Sequence, residues 1–474
     1  MNQSILKDVN QSQKPNIVFI LIDDMGWMDL GCYGSSFYET PNIDRLAENG
    51  MRFTNAYAAC PVCSPTRASF MSGKYPATVG VTDWIDHGNY HPCKGILIDV
   101  PYIKELPLKE YSLANALRDG GYTTWHIGKW HLGLRDTYPD RHGFDVNIGG
   151  CSWGHPSHGY FSPYGIETLD DGPIGEYLTD RLTDEAIHLI QQSKDEPFFL
   201  NLWHYTVHTP LQAKEYDIEK FRAKAKKMGI DSQQVMVEGE FFPMENKKDI
   251  HVIRRIMQSD PVYAAMIANL DWNIGRLLET LEHTGKLNNT FIIFTSDNGG
   301  LSTSEGSPTC NFPLSEGKGW MAEGGIREPF IAYWPGVIKP DCICTEPITS
   351  PDLYPTLLEA AGLPLLPDQH VDGESFLHLM KDETAAMNRE AIFWHYPHYG
   401  NQGSTPGSAM RMGDWKLIEY FDDGRVELYN LKVDISENND LAPSNPGLTK
   451  ELHDKLKAWR MSVKAKIPER NIKI

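Results

Sequence analysis

Short continuous apolar runs alternate along this chain with longer stretches at helical spacing. Residues 16–23, NIVFILID, are almost unbroken apolar and β-branched, the pattern of a parallel strand buried on both faces. Residues 41–49 read as a helix ended by Gly50, and Ser112 is suited to cap a second helix running through Leu113, Ala116 and Leu117 to Gly120. Short strands are predicted at 123–127 and 197–203. The helical spacing of 264–281 leads into a strand at 291–295, and a strand at 330–334 precedes a helix near Pro351. Strands alternating with helices predict an α/β domain with a mostly parallel sheet and helices on both faces.

After about Gly362 the texture changes. Trp415 to Tyr420 and Glu427 to Asn430 flank Asp422-Asp423-Gly424 as the arms of a hairpin, and an amphipathic helix follows at 449–462. The expected organisation is a large domain over 1–365, with a charged helical insertion at about 214–260. A smaller C-terminal domain with an antiparallel sheet and terminal helix would cover 366–474. A length of 474 residues suits two such units.

A 41% hydrophobic and 23% charged composition is that of an ordinary globular protein. The net charge of -19, without a dense Lys/Arg run, argues against nucleic acid as a partner. An anionic substrate would have to be held by a few buried cations or a metal. No stretch is apolar and long enough to span a bilayer. Met1 to Asn16 is polar, so no signal peptide is visible; the chain as written is expected in the cytoplasm, or in the periplasm or outside the cell if a leader was trimmed. Eight scattered cysteines do not read as a disulfide scaffold.

Chemistry concentrates at strand ends. The first strand ends in Asp23-Asp24 and the strand at 291–295 leads to Asp297-Asn298. Ligands of open α/β sheets bind outside the carboxyl ends of the strands, so both pairs should share one edge. Three carboxylates and an amide oxygen suit a hard cation, calcium above all, although each pair taken singly is a common turn former. Cys63-Ser64-Pro65-Thr66-Arg67 is the second constellation. Read alone, Cys60-x-x-Cys63 fits a redox pair, half a metal knuckle or a buried structural cysteine.

The C-x-P-x-R pentapeptide with Gly73-Lys74 resembles the signature of the formylglycine-dependent (type I) sulfatases. Four further segments resemble that family in the same order: Asp23-Asp24, Gly128-Lys129-Trp130-His131-Leu132-Gly133, His208-Thr209-Pro210, and Gly317-Lys318-Gly319 with Glu323 to Pro329. The resemblance implies an alkaline phosphatase-like fold and hydrolysis of a sulfate monoester. It implies that a maturase converts Cys63 to 3-oxoalanine (formylglycine), whose hydrate attacks sulfur and is regenerated by elimination. Asp23, Asp24, Asp297 and Asn298, with an oxygen of modified Cys63, would hold Ca2+; Arg67 would orient the nucleophile; Lys129 and Lys318 would clamp sulfate oxygens. His131 would assist elimination, and His208 with Lys318 would protonate the leaving alcohol.

The layout looks most similar to bacterial carbohydrate sulfatases, which implies exo-desulfation of a sulfated sugar or oligosaccharide. Asp83 and Trp84, His155 and His158, and His395 and His398 sit in aromatic- and histidine-rich segments that could line a sugar site. The plainer alternative is core tryptophans and surface histidines. Two competing functions remain: a phosphonate monoester or phosphodiester hydrolase on the same scaffold, and a carbohydrate-binding protein without activity.

Overall fold

The run NIVFILI forms a strand buried along its whole length, because it lies at the centre of the main sheet with a neighbour on either side. The computed structural model describes residues 14–86 and 95–472. The polar segment ahead of Gln13 and the cysteine at Cys93 lie outside the described residues. In chain order the strands are β1 (Asn16–Ile22), β2 (Met51–Tyr57), β3 (Thr123–Gly128), β4 (Val146–Ile148), β5 (Phe198–Trp203), β6 (Met236–Phe241), β7 (His251–Arg255), β8 (Thr290–Ser296), β9 (Arg327–Tyr333), β10 (Cys342–Cys344), β11 (Ile348–Thr349), β12 (Ile392–Tyr396), β13 (Gly407–Met412), β14 (Trp415–Tyr420) and β15 (Val426–Asn430). The α-helices are α1 (Pro41–Glu48), α2 (Cys63–Ser72), α3 (Pro76–Val79), α4 (Leu113–Asp119), α5 (Leu178–Gln192), α6 (Glu215–Lys227), α7 (Pro261–His283), α8 (Glu323–Ile326), α9 (Leu353–Ala360) and α10 (Pro446–Ser462).

Among the described residues the large sheet has nine strands, ordered β10-β2-β9-β8-β1-β5-β3-β4, with β11 beside β2. β1 runs parallel to β5 and β8, and β3 runs parallel to β4 and β5. β9 is antiparallel to both β8 and β2, so the sheet is mixed but mostly parallel. Strand β2, MRFTNAY, escaped the sequence reading because only alternate residues are fully buried over most of it and its polar positions break the apolar run. The helices pack in two groups, α1, α5 and α6 around α7, and α3, α4 and α9 around α2. The predicted cap of α4 is present: Ser112 Oγ accepts from Asn115 N at 3.0 Å, completing a capping box.

The 214–260 segment departs from the helical insertion expected of it. It holds α6 and then the antiparallel ribbon β6–β7. The spacing of Met236, Val237, Val252 and Ile253 was too sparse to signal strands.

The second sheet is antiparallel, β12-β13-β14-β15. One face packs Met410, Leu417 and Leu428 against Leu452 and Leu456 of α10. The other presents Trp394, Tyr396, Ala409 and Ile418 to Tyr57, Cys60, Val62, Met321 and Ile326. Trp394 Nε1 donates to Ala58 O at 2.8 Å. This sheet therefore buttresses the loop that enters α2, and with it Cys63.

Candidate active site

Strand register brings the site together. Ile22 stands opposite Ser296 across β1–β8, while Leu21 and Gly128 both stand opposite Trp203. The residues that follow these positions leave the sheet at one edge: Asp23-Asp24, Asp297-Asn298, Lys129 and the loop to His208. Backbone bonds fix the exits, with Asp23 N to Thr206 O at 3.0 Å, Val207 N to Asp23 O at 2.8 Å and Lys129 N to Trp203 O at 2.7 Å. Gly128 has φ +99°, and a Cβ there would lie 2.0 Å from Trp203 O, so only glycine lets β3 turn toward Lys129 at this point.

Three buried cations and three buried carboxylates interlock at that edge. Lys129 Nζ donates to both oxygens of Asp23, at 2.8 and 2.7 Å. Arg67 places Nε and Nη2 on the same Asp297 oxygen, each at 2.8 Å. Lys318 Nζ reaches Asp24 Oδ2 at 2.7 Å, and Asn298 Nδ2 reaches Asp24 Oδ1 at 2.8 Å. Burial pushes the Asp23 carboxyl well above the usual range against the pull of Lys129. For Asp24, burial is outweighed by the Lys318 and Lys129 charges, which hold its carboxyl below the usual range.

Cys63 is the first residue of α2, a helix buried from end to end, and follows Val62 in extended conformation. Its Sγ lies 3.3 Å from His131 Nδ1, and His131 Nε2 lies 2.7 Å from Ile85 O. With Nε2–H donating to that carbonyl, Nδ1 is a lone-pair acceptor facing Cys63. Burial raises the Cys63 thiol above its ordinary value, so the unmodified side chain is a protonated thiol and a poor nucleophile. Asp24 and His131 have φ of 63° and 56°, a left-handed backbone that non-glycine residues adopt at cost and that concentrates at functional sites.

The donor chemistry fits a hard cation. Asp23, Asp24 and His208 offer ligand atoms within 4.8 Å of one another. Asn298 Oδ1 is buried without a hydrogen-bond partner, an orphaned acceptor that a cation would satisfy.

His208 donates from Nδ1 to Thr209 O at 2.8 Å, and its Nε2 stands 3.0 Å from Lys318 Nζ. Burial first, and then the Lys318 and Lys129 charges, hold His208 well below its ordinary value, so the imidazole is neutral and accepts from the Lys318 ammonium. The ring of His155 stacks on that of His208 at 5.9 Å.

A cavity of about 1050 Å³ opens above these groups. Cys63, His131, His208 and Lys318 form its floor; Trp84, Trp153, His155, Asp86, Glu305 and Gln402 contribute to its walls. Every catalytic and metal residue expected from sequence thus converges on this edge. Among the expected sugar contacts, Trp84 and His155 line the cavity.

The other four do not. His395 is buried with Nδ1 on Ser408 Oγ at 2.7 Å and Nε2 on Lys466 O at 2.9 Å, which fills both ring nitrogens. His398 is buried between Asp99 Oδ1 at 2.5 Å and Thr82 Oγ1 at 2.9 Å. Asp83 is fully buried and accepts from Tyr396 Oη at 2.9 Å. Asp83 and His398 tie β12 and its following loop to the loop carrying Trp84, while His395 is held within the C-terminal region; none of the three lines the cavity. His158 is exposed and packs on Trp153 from outside the lining. Sequence reasoning missed Asp86, Glu305 and Gln402, which come from loops with no periodic or motif signal.

Comparison with known proteins bears on this geometry. A family model described as Sulfatase matches residues 15–363, and one described as N-sulphoglucosamine sulphohydrolase, C-terminal, matches 316–462. A sulfatase of Formosa agariphila is 32% identical over 529 aligned positions, covering 96% of this chain and 89% of that protein. Human steryl-sulfatase is 30% identical over 437 positions, covering 81% of this chain and 72% of its own length. The crystal structure of Ps i-CgsB in complex with k-i-k-neocarrahexaose is similar with a TM-score of 0.74 and 29% identity, covering 94% of this chain and 93% of that one.

Proposed function

Because the chain belongs to the sulfatase family and is a sulfuric ester hydrolase, we propose that it desulfates a sulfated sugar or oligosaccharide using a nucleophile made from Cys63 and a bound calcium ion. The observation that carries this reading is the meeting of Cys63, His131, His208 and Lys318 on the floor of one cavity whose walls mix polar side chains with tryptophan faces. Asp86, Glu305, Gln402, Ser157 and Thr209 offer hydrogen bonds to a polyol, and Trp84 and Trp153 offer aromatic faces to a sugar ring. Such a lining suits a carbohydrate better than the fused apolar rings of a sterol. The oligosaccharide held by the i-CgsB neighbour supports the same choice.

Conversion by a maturase is part of the proposal, since the buried thiol is protonated; the hydrate of 3-oxoalanine would supply a hydroxyl nucleophile at this position. Calcium, held by Asp23, Asp24, Asp297 and Asn298, would supply Lewis-acid neutralisation of the sulfate. The remaining work falls to side chains of the chain itself. Arg67 fixes Asp297 through two nitrogens on one oxygen. Lys129 and Lys318 bring positive charge to non-bridging sulfate oxygens in a buried site where such contacts are strong. His131, with Nδ1 facing residue 63, is the base that takes a proton from the group there. Lys318, already donating to His208 Nε2, is the proton source for the leaving alcohol, with His208 as its partner.

The test is sulfate release from regiochemically defined sulfated mono- and disaccharides after coexpression with a maturase, beside a Cys63→Ala variant. Release from one regioisomer, lost in the variant, is expected. Silence on every sugar while a simple aryl sulfate is cleaved would remove the carbohydrate reading.

A further inference from the structure

The cavity that receives the substrate is poor in positive charge. Among the described residues lining it, Lys318 is the one lysine or arginine, and it sits on the floor beside Asp24. The walls carry two carboxylates, Asp86 and Glu305. Lys104, which does not line the cavity, pairs with Asp86 Oδ1 at 2.8 Å and offsets part of its charge. Glu305 is exposed and accepts from the Gln402 amide at 3.1 Å, a neutral partner that leaves its charge in place.

Among the described residues lining the cavity, an anion beyond the sulfate being cleaved would therefore meet two carboxylates on the walls and no cation except Lys318 on the floor. Carboxylate or sulfate recognition normally relies on Arg or Lys forks, and like charges set side by side are a strong device for rejecting wrong partners. The aromatic faces of Trp84 and Trp153 and the uncharged donors around them suit a neutral ring instead.

We propose that the cavity selects a sugar residue bearing a single sulfate and no neighbouring anion, with Glu305 and Asp86 as the residues that reject uronate-linked or multiply sulfated substrates. The sugar part rests on the function proposed above; the rejection of a second charge rests only on sulfate-ester hydrolysis.

The experiment compares kcat/KM for a monosulfated neutral sugar with that for the same sugar carrying a second sulfate on the adjacent carbon. A second pair, a phenyl sulfate with and without a ring carboxylate, runs beside it. The wild type is expected to prefer the singly charged member of each pair by about tenfold or more, less so at high salt. Glu305→Gln keeps the side-chain shape, lies at the surface and should narrow the ratio several-fold; Asp86→Asn should narrow it further. A ratio near one in the wild type, or ratios that neither substitution moves, would overturn the proposal. If sugars are inert but the phenyl pair shows the preference and its loss in Glu305→Gln, charge rejection stands and the carbohydrate reading fails.

Discussion

Asn298 donates its Nδ2 to Asp24 Oδ1 at 2.8 Å and leaves its own Oδ1 buried with no hydrogen-bond partner. An amide held this way has its donor spent and its acceptor aimed at whatever cation joins Asp23, Asp24 and Asp297. Calcium should therefore raise the melting temperature, by an increment equivalent to about 2.7 kcal/mol at a hundredfold excess over Kd. Asn298→Ala should keep the fold and lose most of that increment. An increment unchanged in Asn298→Ala, read by scanning calorimetry with and without chelator, would rule the amide out as a ligand.

Cys63 and Lys318 lie on the same floor but act at different stages of the reaction proposed here. Cys63→Ala should abolish turnover while mass spectrometry of the wild-type peptide reports an aldehyde in place of the thiol. Lys318→Ala should lower kcat by about 10² to 10⁴, with a smaller loss on aryl sulfates, whose leaving groups need little protonation. Equal losses on alkyl and aryl esters would remove the proton-donor role.

Lys416 on β14 is fully buried between Glu323 Oε1 at 2.9 Å and Glu437 Oε1 at 2.8 Å. Glu437 also accepts from the backbone of Glu323 at 2.7 Å, so the small sheet grips α8. Lys416→Met would take the shared cation from two buried carboxylates and should cost about 3 kcal/mol in urea unfolding. A loss below about 1 kcal/mol would mean the carboxylates find other partners.

His395, with both ring nitrogens bonded inside the small domain, is a structural residue. His395→Ala should lower stability by about 1–3 kcal/mol and leave the ratio of sugar to aryl sulfate turnover unchanged. A selective loss on sugars would return it to the substrate site.

His126 is buried, accepts from Asn201 Nδ2 at 2.9 Å and donates to Gly128 O at 3.1 Å, an arrangement only the neutral ring satisfies. Burial lowers its pKa to about 3, against about 6.5 in the unfolded chain. The folded state then binds fewer protons between those values. Its contribution is complete above pH about 6.5 and is lost as pH falls toward 3. The stability advantage of wild type over His126→Gln should shrink by up to about 1.4 kcal/mol per pH unit below 6.5. Taking the difference cancels Asp29 and Asp83, whose carboxyls are pushed up to about 6 by burial and oppose the trend. A difference flat with pH would mean a charged His126.

Local chemistry wrote much of this protein into its sequence. The apolar run of β1, the Ser112 cap, the β14–β15 hairpin and the charged residues at strand ends are all local signals, because neighbours in the chain decide them. Parallel register then delivers Asp23, Lys129 and Asp297 to one edge, so the gathering of these side chains was legible as well. Only the tertiary structure decided the walls. His395 and His398 look from sequence like part of a sugar site, yet folding buries them on partners of their own, Ser408 and Lys466 for His395, Asp99 and Thr82 for His398. Asp86, Glu305 and Gln402 became a cavity wall through long-range folding of loops with no period to read. The chain itself fixes which groups meet on the cavity floor; how three distant loops meet fixes what surrounds them.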